Sequence, residues 1–193
     1  MSVNHIFIFT KNHNQAVQEL LDFGFTEGSN RVHLGQGTQN RKFNFNNFFL
    51  EILWVHDTQE VTNTTTKPTK LHERANWKDN ECSPFGLCLN YSTNEHDLFK
   101  KYLKYEPLYL PKGMEVQVLT NEEKPFLPWT FRWKSDLKSQ KIMESTTHKN
   151  KIKSLTKACF AVKELECEFI KFFKNDEVVF FEQSNNKSLT LEF

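Results

Sequence analysis

The chain lacks most of the signatures that assign a protein at sight. Its four cysteines, Cys82, Cys88, Cys159 and Cys167, form no CxxC pair and no zinc-finger spacing. That argues against a disulfide scaffold and for reduced thiols in a cytoplasmic protein. No apolar run approaches the roughly 20 residues that span a bilayer, and no segment resembles a secretory signal, so no membrane partner is expected. Charge of one sign is not in excess: Lys plus Arg number 25, Asp plus Glu 24, for a net charge of +1. Neither nucleic acid nor an anionic surface is therefore favoured as a partner. There is no phosphate-binding GxxxxGKS/T, no GxGxxG after a strand, no HExxH and no GxSxG, which leaves the common nucleotide-binding, zinc-protease and hydrolase classes without support. Methionine is scarce, with 3 residues, whereas phenylalanine is abundant, with 19. The phenylalanines supply both a core and material for an aromatic-lined pocket.

What is present is concentrated between His33 and Trp54, HLGQGTQNRKFNFNNFFLEILW. Gly35 and Gly37 bracket Gln36, which suits backbone at positive φ or in close approach to another segment. Phe43 and Phe45 alternate with Lys42 and Asn44, the period of a half-buried strand. Asn46–Asn47 can form a two-residue hairpin turn, since Asn tolerates the left-handed region. A second strand then climbs through Phe48 to Val55, apolar except for Glu51. With that turn, Phe45 faces Phe48, Asn44 faces Phe49, Phe43 faces Leu50 and Lys42 faces Glu51. Cross-strand partners share a face. Phe43, Phe45, Leu50 and Ile52 then form a core face; Lys42, Asn44, Phe49, Glu51 and Leu53 form a face suited to the inside of a binding cup.

At 193 residues the chain is one domain or two small modules sharing a core. Residues 1–57 read as a first β-α-β-β-β module. It comprises a strand at 3–9 with Val3, His5, Phe7 and Phe9 on one side, a helix over 15–23 stopped by Gly24, a short strand around 25–27, and the hairpin. Residues 58–83 are a connecting arm, too long for an ordinary loop and hence a lid or a packed arm. Residues 84–135 read as a second, divergent module: a strand at 85–91, a helix over 95–102, a strand at 115–120, and an aromatic strand at 126–133 in which Pro128 marks an edge, a bulge or a strand start. Residues 136–193 carry a strand at 155–162, a short helix or turn within 164–173, and a closing hairpin of 178–183 with 189–193 about Asn185–Asn186. All four parts are expected to form one compact domain.

Four pieces of the first third, Asn4-His5-Ile6-Phe7, Asp22-Phe23-Gly24-Phe25, His33-Leu34-Gly35-Gln36-Gly37-Thr38-Gln39-Asn40-Arg41 and Leu50-Glu51-Ile52-Leu53-Trp54-Val55, resemble a glyoxalase-like domain of the vicinal oxygen chelate superfamily. That superfamily also holds bleomycin-resistance proteins and extradiol dioxygenases. The resemblance implies an α+β fold of repeated β-α-β-β-β modules, forming a curled, cup-shaped mixed sheet with helices outside. It also implies a small-molecule ligand and a homodimer. In metal-binding members a first-strand His and a fourth-strand Glu ligate a divalent ion, and they map onto His5 and Glu51. The expected ion is zinc, nickel, manganese or iron, serving a lyase, isomerase or dioxygenase that acts on adjacent oxygens. The corresponding second-module places hold Phe85-Gly86-Leu87-Cys88 and Trp129-Thr130-Phe131-Arg132, where only Cys88 is a donor. The alternative is a metal-free ligand-binding or sequestration protein of the bleomycin-resistance type.

Taken residue by residue, Glu51 on an apolar cup face is a candidate general base, since burial raises a carboxyl pKa. It equally suits a structural carboxylate paired with Lys42 or Arg41. Gln36 and Arg41 are candidates to meet a ligand carbonyl or anion. Trp54, Trp129 and Phe131 are candidates to line an aromatic pocket or fill the core. His148, followed shortly by Asn150, falls where similar glyoxalase-like proteins often carry a His followed by Asn, and is a candidate ligand-pocket residue. Arg132 alternates away from its aromatic neighbours toward solvent or an ion-pair partner.

Overall fold

The computed structural model describes residues 2–91, 98–134 and 144–193. Strand β1 (Val3–Phe9) leads through helix α1 (His13–Asp22) to β2 (Asn30–His33), β3 (Thr38–Asn44) and β4 (Phe49–Val55). The arm holds α2 (Thr58–Val61) and α3 (Leu71–Ala75), with single 3-10 turns at Lys67–Thr69 and Trp77–Asp79. Strands β5 (Phe85–Leu89), β6 (Leu103–Tyr105), β7 (Glu115–Leu119) and β8 (Trp129–Lys134) follow. Then come β9 (Lys157–Val162), α4 (Glu168–Phe172), β10 (Val179–Gln183) and β11 (Leu189–Glu192). The fold is α+β. Among the described residues, one mixed sheet of eight strands in the order β2-β3-β4-β1-β5-β8-β7-β6 curls into a half-barrel, and a second sheet has the order β10-β9-β11.

The hairpin fixes the register of the first half. β3 pairs antiparallel with β4, setting Lys42 opposite Glu51, Phe43 opposite Leu50 and Asn44 opposite Phe49. Phe45 N–H bonds the Phe48 carbonyl at 2.8 Å, which closes the Asn46–Asn47 loop. Period-2 alternation then sorts the sheet into two faces. Phe43, Phe45, Leu50 and Ile52 enter the convex-side core with Ile6, Leu87 and Leu89. There Val17 of α1 is buried, Ala16, Leu20 and Leu21 pack alongside, and Phe160, Val162 and Phe169 of the last unit complete the layer. On the concave side Phe7, Phe9, Leu53, Cys88, Trp129 and Phe131 gather with Val61, Leu71 and Ala75 of the arm.

Several local expectations change. Val3 joins the convex core with Ile6 because a register irregularity between Val3 and His5 breaks the alternation of β1. Residues 25–27 form no strand; Gly28 and Ser29 exchange backbone bonds with Lys42, and β2 itself starts at Asn30, opposite Arg41. The tail forms no hairpin of its own. β9, alternating and largely buried, lies between β10, to which it is parallel, and β11, to which it is antiparallel. Both edges of that apolar strand were open to pairing, and each took one strand. Of the expected helix at 95–102, residues 98–100 form a turn and residues 101–102 carry no helix, while residues 92–97 lie outside the described residues, as do 135–143. Pro128 stands immediately before β8 and serves as a strand start.

The arm is packed. Gly35 and Gly37 both sit at φ +78°, and an added Cβ on Gly37 would lie 2.3 Å from the Asp57 carbonyl oxygen. Glu60 Oε2 accepts from Gly35 N–H at 2.8 Å, while Asn63 Nδ2 and Thr66 Oγ1 donate to the Gly35 carbonyl at 3.0 and 3.1 Å. Arg74, 1% exposed, donates to the carbonyls of Ser83, Pro125, Leu127 and Thr120 at 3.4, 2.6, 2.6 and 2.7 Å. Burial lowers its pKa to about 10, which leaves it cationic at neutral pH. Arg132 is also buried. It donates through Nε to Gln117 Oε1 at 2.6 Å, and its guanidinium carbon lies 4.4 and 4.9 Å from the ring centres of Phe99 and Tyr91. Those rings give the guanidinium cation–π contact away from solvent.

Candidate functional site

The concave face encloses a cavity of about 230 Å³ between the two halves of the sheet. β1 supplies His5 and Phe7; β4 supplies Phe49, Glu51 and Leu53 from the hairpin's cup face. Trp129, Phe131 and Trp133 come from alternate positions of β8, and Gln36 from the glycine turn. Tyr109 enters from the segment after β6. Its ring lies 4.6 Å from that of His33, its carbonyl accepts from Arg31 Nη2 at 2.5 Å, and Arg31 sits over its ring.

His5 and Glu51 are brought together: Nε2 and Oε2 lie 3.6 Å apart, and both residues are buried. The imidazole stacks on Phe49 with ring centres 4.2 Å apart, and Phe131 meets it edge-on at 5.2 Å. Its Nδ1 bonds Asn4 Oδ1 at 2.8 Å. Glu51 Oε1 accepts from Asn40 Nδ2. A buried relay continues from Asn40 to His33 at 3.4 Å, from His33 to Thr38 at 2.8 Å, and from Thr38 to Gln36 at 2.7 Å. Burial raises the Glu51 carboxyl to about 7, against the Asn40 hydrogen bond and the nearby Lys42 charge, which act to lower it. Burial, with Lys42 and His33, lowers His5 to about 3; burial, with Arg31 and Lys42, lowers His33 to about 4. At neutral pH the site therefore holds neutral imidazoles and a carboxyl able to take or give a proton.

Of the predicted site residues, His5, Glu51, Gln36, Trp129 and Phe131 line this cavity. Three lie elsewhere. Arg41 alternates to the opposite face from Lys42 and forms a bidentate pair with Glu27. Trp54 follows the cup-facing Leu53 and stacks on His13 at 4.0 Å, next to α1. His148 accepts from Thr26 N–H through Nδ1 at 2.9 Å and donates through Nε2 to the Asn44 carbonyl at 3.0 Å, tying the 144–150 segment to β3. Asn40 and His33 were missed. Counting back by two from Lys42 places Asn40 on the cup face, so the signal was present; Tyr109, on a loop far along the chain, carried none.

As for a metal, His5 Nε2 and Glu51 Oε2 face one space and form two donors. Across the sheet the places opposite His5 and Phe7 hold Cys88 and Gly86, and Phe131 stands beside Cys88. Burial drives the Cys88 thiol pKa well up, away from the thiolate that a metal needs. Among the described residues no three His, Cys, Asp or Glu side chains come together around an ion site. Among the described residues the donor set is short of the three ligands that hold a catalytic ion, so those residues do not fit a resident metal.

No family model and no curated protein matches the sequence. Among solved structures, a hypothetical protein from Staphylococcus aureus is similar, with a TM-score of 0.56 at 15% identity over 96% of this chain and 87% of that chain. At that identity the likeness speaks to fold alone. Among the described residues no helix is long and apolar enough to cross a membrane.

Proposed function

We propose that the chain is a glyoxalase-like small-molecule-binding protein of the vicinal oxygen chelate kind, using two β-α-β-β-β modules to build one ligand cup. The strand orders β1-β4-β3-β2 and β5-β8-β7-β6, read outward from the centre, support the modular reading. One observation carries the functional reading. A buried carboxyl, raised to about 7, stands 3.6 Å from a neutral imidazole at the wall of an aromatic-lined cavity. A ligand reaching Glu51 would meet a group matched to proton exchange at neutral pH, and the surrounding rings would supply most of the contact area.

The second reading is a divalent-metal enzyme, and the facing His5 and Glu51 donors favour it. It needs a further donor from the ligand or from a second copy in a homodimer. Elemental analysis of protein purified without a metal-affinity tag, beside His5→Ala and Glu51→Ala, separates the two. Binding-module behaviour predicts no retained zinc, nickel, manganese or iron, and ligand uptake that survives chelation. Near one ion per chain, lost in both variants, would transfer the assignment to the metalloenzyme.

A further inference from the structure

We propose that the molecule taken by this cup is a flat, uncharged hydrogen-bond donor, one that presents an N–H or O–H to His5 Nε2 and Glu51 Oε2 together. The inference rests on reading the cup as a small-molecule site and specifies what enters it.

The direction of each hydrogen bond decides the matter. Asn4 Nδ2 donates to Asn90 Oδ1 at 2.8 Å, so Asn4 turns its Oδ1 toward His5 Nδ1. The His5 proton is thereby held on Nδ1, and Nε2 presents a bare lone pair. Asn40 is oriented with equal definition: its Oδ1 accepts from Arg31 N–H at 2.8 Å, so its Nδ2 faces Glu51 Oε1. Oε1 is occupied, and Oε2 is left toward His5. At 3.6 Å the Nε2···Oε2 separation exceeds a hydrogen bond, so the two acceptors do not satisfy each other. The Nε2 lone pair of His33 is taken by Asn40 Nδ2 at 3.4 Å, which leaves His5 Nε2 and Glu51 Oε2 as the acceptors of this group at the cavity.

The nearby cations are committed elsewhere. Lys42 Nζ is 3.1 Å from Glu144 Oε1, and Arg31 donates to the Tyr109 carbonyl. Both nevertheless line the cavity, and their charge disfavours a cationic ligand, while Glu51 and the His5 lone pair repel a carboxylate or phosphate. An uncharged donor satisfies both constraints. The slot beside His5 is flat, with Phe49 stacked and Phe131 edge-on. An engineered cavity of about 150 Å³ holds benzene, so 230 Å³ admits one small ring system.

The test compares indole with benzofuran, which has nearly the same shape but a ring oxygen in place of the N–H. Each is titrated into chelator-treated full-length protein at pH 8 and followed by protein-observed NMR. Indole is expected to shift His5 and Glu51 amides and to bind about tenfold more tightly than benzofuran, the worth of one hydrogen bond to an ionised group. In Glu51→Gln, Asn40 retains the amide oxygen and the new NH2 replaces Oε2, so the preference should fall to about one- to threefold. Equal affinity of the two rings for the wild-type cup overturns the donor assignment and leaves the cup reading standing. Absence of binding by both, or shifts confined to other surfaces, overturns both. If Glu51→Gln fails to fold, the wild-type ratio decides alone.

Discussion

The eight-stranded sheet changes character where β1 meets β5. On one side of that line the concave face carries Glu51, Asn40 and His33, joined in a single hydrogen-bonded relay, with His5 3.6 Å from the Glu51 carboxyl. On the other side the corresponding wall is Gly86, Cys88, Trp129, Phe131 and Trp133. One half orients a polar group and the other offers surface area. The asymmetry explains how a buried carboxyl can persist: the aromatic half excludes water and raises its pKa, while Asn40 and the Lys42 charge oppose the rise.

The largest blow to this division should come from Gly86. A Cβ there would lie 2.0 Å from the Phe7 ring, with little room to yield in a packed layer. Gly86→Ala is expected to destabilise by about 3 kcal/mol in urea unfolding, and Phe7→Leu in the same chain should restore much of the loss. Full stability of Gly86→Ala alone would mean that the two halves do not meet as tightly as described.

A smaller effect, with a definite sign, should come from Glu51→Gln. The folded pKa of about 7 lies above the ordinary 4.5, so the folded state holds the proton across that window. Glu51 therefore subtracts stability as pH rises from 4.5 through 7. Glu51→Gln should exceed the wild type by about 2 kcal/mol at pH 8 and lose that advantage near pH 4.5. His5 and His33 act in the opposite sense. Their folded values of about 3 and 4 lie below 6.5, so their contribution is present above 6.5 and is lost as pH falls through that range. An advantage of Glu51→Gln that did not change with pH would show that the carboxyl is not held by burial.

The smallest effect belongs to Lys42→Met. The Lys42–Glu144 pair is about one-fifth exposed on each side, and its loss should cost less than about 1 kcal/mol. With that charge gone, the Glu51 midpoint should move above about 7, as followed by NMR of the side-chain carboxyl carbon. A downward movement would contradict the assigned electrostatics.

What could be read in the sequence follows from this division. Asn46–Asn47 set the register, and from it alternation correctly placed Lys42, Phe49, Glu51 and Leu53 on the cup side, with Phe43 and Leu50 opposite. The same rule, carried through, would have sent Arg41 and Trp54 away from the cavity. Their chemistry had recommended them, but period-2 geometry decided otherwise. His148 showed how a loop histidine can serve backbone groups rather than a ligand. Tyr109 and the order β10-β9-β11 depend on contacts between segments distant in sequence, for which local pattern has no sign.

The Arg74 guanidinium also bears on kinetics. By tying the arm to the carbonyls of 120, 125 and 127 as well as to that of 83 at the arm's own end, it makes any outward excursion of the arm strand three acceptors of the second unit at once. The segment bearing Leu108 and Tyr109 is held more lightly, through Arg31 and the His33 ring, with Leu108 80% exposed. Passage in and out of the cup should therefore be governed by that segment. The residence time of a bound molecule would then be set by a loop that makes none of the hydrogen bonds selecting it.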